Sequence, residues 1–173
     1  MTASAGPLVV LVGPPGSGKT SVGGALAAIT GRGFRDTDID IEFTAGRPIP
    51  DIFITDGEPV FRAMERDAVR TALAEHDGVL ALGGGSILAE QTRAALAGHT
   101  VVFLSLTMPT GVKRTGLATN RPLLTGVNPR ATYKALLDAR LPLYEEVATI
   151  VVQTDHLTVV EVAAVIVEKL GLV

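Results

Sequence analysis

The chain has no cysteine and only three histidines, His76, His99 and His156, spread far apart. The missing cysteine excludes disulfides, thiolate chemistry and cysteine-ligated zinc. Three scattered histidines argue against a histidine metal cluster. Aromatic residues make up 4% of the 173 positions, so the core must be mostly Val, Leu, Ile and Ala. Long apolar runs are absent too. The segment after "MTASAGP" is only "LVVLV", and no basic region precedes it. The expectation is no signal peptide, no membrane span and a cytoplasmic home.

Negative charge is missing locally. From Gln91 to Leu137 there is no Asp or Glu, although the chain holds 18 of them. That window carries Arg93, Lys113, Arg114, Arg121, Arg130 and Lys134. A basic stretch inside a chain of net charge −3 suggests a local anionic ligand, whereas the total gives no pull toward nucleic acid or anionic lipid. The alternative is compositional accident.

What is present points to one globular domain spanning residues 1–173: the apolar fraction is 47% and the mean hydropathy is +0.38. Short β-branched runs recur at Leu8–Val12, Val79–Leu82, Val101–Leu104 and Ile150–Val152, with a weaker one at Phe34–Asp36. Continuous short runs suit strands covered on both faces. Helical segments fall between them at Lys19–Ile29, Pro59–Ala74, Glu90–Ala97, Pro129–Val147 and Val159–Leu170. Capping boxes are expected at Thr55–Glu58 and Thr158–Glu161. Alternation of this kind predicts an α/β fold, a parallel sheet wrapped by helices. Gly116 to Pro129 reads as a long loop inside the basic window.

"GPPGSGKT", Gly13 to Thr20, fits G-x-x-x-x-G-K-[ST] between a strand and a helix. That context is what the phosphate-binding loop requires. Glycines let backbone N–H groups turn inward around phosphate oxygens, and the helix N-terminus adds its positive end. Lys19 reaches the terminal phosphates, and the Thr20 hydroxyl can ligate Mg²⁺.

"FRDTDIDIE" sets Asp36, Asp38 and Asp40 two apart, with Glu42 next in step. On an extended strand they would share one face and repel unless a positive group lay opposite. The first two sit at the carboxyl end of a strand, where ligands gather in open parallel sheets. They could face a metal–phosphate cluster. Asp40 and Glu42 are expected in the first turn of the next helix, so the stack should end near Asp38. Arg62 could clamp a substrate carboxylate, or simply pair with Glu58 or Glu65 at helical spacing. Gly83, Gly84 and Gly85 end a buried strand and allow close approach of a ligand, or mark a generic turn. Arg140 lies just before Pro142 and alone reads as surface.

Taken together, "GPPGSGKT", "DTD", "IFITDGEPVFRAMER", "LGGGS", "TNRPLL" and "RLPLYEEVA", in that order and spacing, resemble the shikimate kinases. The resemblance implies the three-layer P-loop fold of the nucleoside monophosphate kinases. It has a five-stranded parallel sheet, a mobile lid at about 116–128 and a substrate-binding helical region at about 38–66. It implies MgATP-dependent phosphorylation of the 3-hydroxyl of shikimate, on the way to chorismate and aromatic amino acids, by a monomer. ATP would lie on Gly13, Pro15, Gly16, Ser17, Gly18, Lys19 and Thr20, with Arg114 alongside. Arg121 would reach the phosphates from the lid and join Lys19 and Asp38 in catalysis. Asp38 would be the candidate base at the shikimate hydroxyls. Asp36, with Thr20, would lie on the Mg²⁺ side. Arg62, Arg140 and the glycines Gly83, Gly84 and Gly85 would bind shikimate, with Phe53 and Phe61 packed around its ring. One departure stands out. Many relatives carry a basic or proline-containing loop after the last strand, whereas "QTDHLTVVE" has neither Arg nor Pro, and His156 is its one polar ring. Two other readings use the same loop: a gluconate or nucleotide kinase, and a nucleotide-binding switch.

Overall fold

A computed structural model describes residues 6–116 and 128–173. Five parallel strands form one sheet in the order β2-β3-β1-β4-β5. They are β1 (Val9–Val12), β2 (Phe34–Asp36), β3 (Val79–Ala81), β4 (Val101–Ser105) and β5 (Ile150–Gln153). The inner strands β1 and β3 are buried throughout, which explains their unbroken apolar runs. Val10 of β1 registers with Leu80 on one side and Val101 on the other. The strand order reverses at β1, so the ligand crevice opens beyond its carboxyl end.

Successive β1 residues serve opposite layers, as the strand's period of two requires. Val10 and Val12 pack with α4 (Glu58–Glu75) and α7 (Pro129–Val147), through Val69, Leu73 and Tyr144. Val9 and Leu11 pack with α1 (Lys19–Thr30) and α8 (Val159–Leu170), through Leu26 and Ile166. The chain after β2 builds a side structure, α2 (Thr37–Ala45) and α3 (Ile49–Asp56), which shares with α4 a separate core of Ile41, Ile52 and Phe61. The short α5 (Glu90–Leu96) and α6 (Met108–Thr115) complete the set among the described residues.

The last helix starts as expected. Thr158 accepts from Glu161 N–H, and Glu161 reaches back to Thr158 N–H, a reciprocal cap typically worth about 1 kcal/mol. The box expected at Thr55 does not form. Thr55 is still inside α3, so its backbone is helical, and Gly57, at φ 88°, makes the turn into α4 instead. A second correction concerns the aspartates. The strand ends at Asp36 and α2 begins at Thr37, so the expected same-face stack stops one aspartate earlier than predicted. Most of the expected lid at 116–128, including Arg121, lies outside the described residues.

Candidate active site

The turn from β1 into α1 is closed by Gly16 and Gly18, at φ 84° and 92°, a left-handed backbone that glycine adopts without strain. Within it, Lys19 Nζ donates to the carbonyls of Gly13 at 2.7 Å and Pro14 at 3.2 Å. The ammonium therefore lies across the loop whose N–H groups would cradle phosphate. Ser17, whose hydroxyl lies 3.5 Å from the ammonium, is buried.

Asp36 belongs to both neighbouring elements. Its Oδ1 accepts from the N–H of Asp38 at 2.9 Å, capping α2, and its Oδ2 accepts from the Thr20 hydroxyl at 3.2 Å. One oxygen of the carboxylate thus caps α2 while the other meets the phosphate-loop threonine. Asp38 points elsewhere. A side chain on Gly83 would come within 2.6 Å of Asp38 Oδ1, so the carboxylate leans on the glycine loop. The buried Thr37 between them ties the two segments together, accepting from Gly83 N–H at 3.3 Å. Asp40 turns away to pair with Arg35 at 2.7 Å, and the same arginine reaches Glu75 at 3.0 Å. Glu42 is not in the first turn of α2. It sits one turn further on and accepts from Ile49 N–H at 2.9 Å, at the start of α3.

On α4, Arg62 is held by Glu65 at 2.8 Å and Glu58 at 3.3 Å. The helical pairing read from the sequence is therefore present, and the guanidinium also reaches the glycine loop. A side chain on Gly85 would meet Arg62 Nη1 at 2.2 Å. Its Cζ stands 5.2 Å from the centre of the Phe61 ring, which stacks at a tilt on Phe53, 4.7 Å away. Phe61 itself is buried in the core of the side structure and touches the site through Arg62. Glu65 is buried. Burial pushes its carboxyl above the ordinary range, and the nearby Arg62 and Arg140 charges pull it back. Arg140 is not a surface residue, as it reads alone, but 6% exposed on the inner face of α7. Its charge acts on the nearby Tyr144 hydroxyl, which donates to the Gly84 carbonyl at 2.6 Å. Burial pushes the Tyr144 hydroxyl up to about 12, so it stays a donor.

The basic window divides into separate roles. Arg93 pairs with Glu146 and Lys134 with Asp138, acids that lie outside the window. Arg114 donates to the Gly16 carbonyl at 3.2 Å, and to both the hydroxyl and the carbonyl of Thr154. It closes a cleft of roughly 300 Å³ beside the phosphate loop, with Leu157 and Val159 among its walls. His156 is not one of the lining residues. The apolar walls come from the residues after it, and the sequence pattern did not expose them because they are ordinary aliphatics. Glu65, Thr37 and Tyr144 were likewise missed as site residues. Glu65 showed itself only as a helical neighbour of Arg62.

The site thus joins an anion cradle, a hydroxyl and carboxylate pair suited to a hard cation, and a separate cluster at the glycine loop with two carboxylates, Asp38 and Glu65, and two arginines, Arg62 and Arg140. A phosphoryl donor and a small anionic acceptor fit it. The family model for shikimate kinase matches residues 15–171 of this chain. A shikimate kinase of Saccharopolyspora erythraea is 66% identical over 149 residues, covering 86% of this chain and 85% of its own. One from Salinispora arenicola is 62% identical over 164 residues, covering 92% and 98%. Among solved structures, a shikimate kinase from Acinetobacter baumannii in complex with shikimate aligns at a TM-score of 0.93 and 36% identity, covering 98% of this chain and 94% of that one.

Proposed function

The chain belongs to the shikimate kinase family, and from that premise we propose how its residues divide the transfer of the terminal phosphoryl group of ATP to the 3-hydroxyl of shikimate. The enzyme is an ATP-dependent kinase of shikimate, acting in aromatic amino acid biosynthesis. The gluconate-kinase, nucleotide-kinase and switch readings give way to that membership.

ATP lies with its phosphates in the loop Gly13–Thr20 and its base in the cleft closed by Arg114. Lys19 leaves the loop carbonyls for the terminal phosphates. Thr20 and Asp36 supply two oxygens 3.2 Å apart, a donor set that suits Mg²⁺, which takes one or two protein oxygens together with phosphates. Among the described residues there is no group of three or more His, Asp or Glu that would compete as a metal site. When bound, the ion screens the charge on the transferred group. Asp38 accepts the acceptor hydroxyl's hydrogen bond and then its proton, because it leans toward the glycine loop and away from Thr20. Arg62 and Arg140 take the shikimate carboxylate, a task their planar forks suit. Gly84 offers backbone to the ring hydroxyls, and Phe53 lies along the ring. Arg121, from the lid segment, meets the charge on the phosphates.

The observation that carries this division is the split between adjacent carboxylates: Asp36 hydrogen-bonded to Thr20, and Asp38 against Gly83. A coupled assay of ADP release over shikimate, gluconate, AMP and CMP tests it. With ATP and Mg²⁺ present, release is expected with shikimate and not with gluconate, AMP or CMP. Equal release with the acceptor omitted would refute it.

A further inference from the structure

Three residues of α7 are buried: Tyr133, Arg140 and Tyr144. They are seven and four apart, so they share one face of the helix. Arg140 has a place in the reaction. The two tyrosines do not, yet each spends its hydroxyl on a loop of the active site. Tyr133 donates to the carbonyl of Pro15 in the phosphate loop at 2.9 Å, and Tyr144 donates to the carbonyl of Gly84 in the glycine loop at 2.6 Å. Eleven residues separate them. That is close to three full turns and about 16 Å of helix axis.

The two loops also meet directly. A side chain on Gly84 would sit 3.4 Å from the Gly13 carbonyl and from the Pro15 ring. Loops are the parts of a fold most free to drift. Here both are tied to one continuous helix, in which Pro142 stands between Arg140 and Tyr144. The Tyr133 tie is buried and the Tyr144 tie partly so, and each tyrosine ring is fixed by packing. Gly111 presses on the Tyr133 ring, where any side chain would collide at 2.1 Å, and Tyr144 stacks on Phe103 at 4.9 Å. The Arg140 charge lies close enough to Tyr144 to act on its hydroxyl, so the acceptor-side tie sits beside a proposed substrate-binding arginine.

We propose that α7 is a strut that sets the distance between the phosphoryl donor and the acceptor, with Tyr133 and Tyr144 as its two positioning residues. The Tyr133 hydroxyl fixes the donor loop and the Tyr144 hydroxyl fixes the acceptor loop. Neither touches substrate. In-line transfer needs the reacting atoms at near-contact distance, and a displacement of about 1 Å can cost on the order of 100-fold in rate. The proposal rests on ATP lying at the phosphate loop and shikimate at the glycine loop.

The test is a cycle of Tyr133→Phe, Tyr144→Phe and the double variant, each of which keeps its ring and loses only a hydroxyl. Turnover at saturating ATP and shikimate is read below the lowest unfolding midpoint of the set. Each single variant is expected to lower kcat by about 10-fold. The double variant should be little worse than either, because one cut tie already releases the spacing. Independent local effects would instead multiply, as they do for distant sites. A control, Phe103→Leu, strips the stacking and leaves both hydroxyls. It should lower the unfolding midpoint and leave kcat within about twofold. A multiplicative double variant, an unchanged kcat in either Phe variant, or a Phe103→Leu kcat as low as that of Tyr144→Phe overturns the strut. Arg140→Ala, assayed beside them, separates the premise: normal shikimate KM there rejects the acceptor placement itself.

Discussion

The Thr20 hydroxyl donates to Asp36 Oδ2 at 3.2 Å, joining the first turn of α1 to the end of β2. The other oxygen of Asp36 caps α2 through the N–H of Asp38. One carboxylate is thereby committed on both sides, to the phosphate loop and to the helix that carries its neighbour. That helix start rotates Asp38 off the face Asp36 occupies. Four residues of similar charge and regular spacing acquire four different surroundings: Asp36 beside Thr20, Asp38 at Gly83, Asp40 on Arg35 and Glu42 at the start of α3.

Asp38→Asn will cost far more turnover than Asp40→Asn. Loss of a general base typically lowers kcat by ~10²–10⁴-fold. Asp40 faces Arg35 outside the reaction, so its amide should hold kcat within a few-fold and cost only part of a partly exposed ion pair, about 0–1 kcal/mol. Steady-state kinetics on both variants decides it. Equal losses would mean that the aspartates act as a unit.

Arg62→Met will raise the KM for shikimate and leave the KM for ATP nearly unchanged. A charged hydrogen bond contributes about 1.5–3 kcal/mol, so a rise of roughly 10- to 100-fold is expected. Methionine keeps some of the contact with Phe61. A change confined to the ATP constant would place Arg62 on the wrong substrate.

Glu65 gives the fold a pH dependence of known sign. Burial raises its carboxyl above the ordinary value of 4.5. A raised acid binds its proton more tightly folded than unfolded. Its contribution is therefore fully present below the unfolded value and is lost as pH rises through the raised folded value. Glu65→Gln removes that titration. The unfolding midpoint of the wild type, relative to Glu65→Gln, should fall as pH rises from about 4 to about 7. A difference that is flat or rises over that span contradicts the assignment.

Much of this was legible in the amino-acid order, and the exceptions share a cause. The phosphate loop and the inner strands are local patterns, and they stand where the pattern put them. Val159–Leu170 starts where its capping box predicts and runs over the expected residues. Thr55 has the same box letters, but α3 runs through it, so the local signal lost to a neighbouring helix. The α2 start at Thr37 was obscured because alternating Asp and Ile mimic a strand. Arg140 and the tyrosines of α7 were invisible as a set. Their partners lie far off in sequence, Tyr144 and Gly84 being 60 positions apart and Tyr133 and Pro15 118. Only the folded sheet brings them together.

The division between Asp36 and Asp38 is tested most directly by the Mg²⁺ dependence of turnover in Asp36→Asn and Asp38→Asn, each at saturating ATP and shikimate. The account predicts that Asp36→Asn raises the Mg²⁺ concentration for half-maximal turnover by about 10-fold or more, as expected for the loss of a charged ligand. Asp38→Asn should leave that concentration unchanged while kcat collapses. A shifted Mg²⁺ requirement in Asp38→Asn, with a normal one in Asp36→Asn, would contradict it.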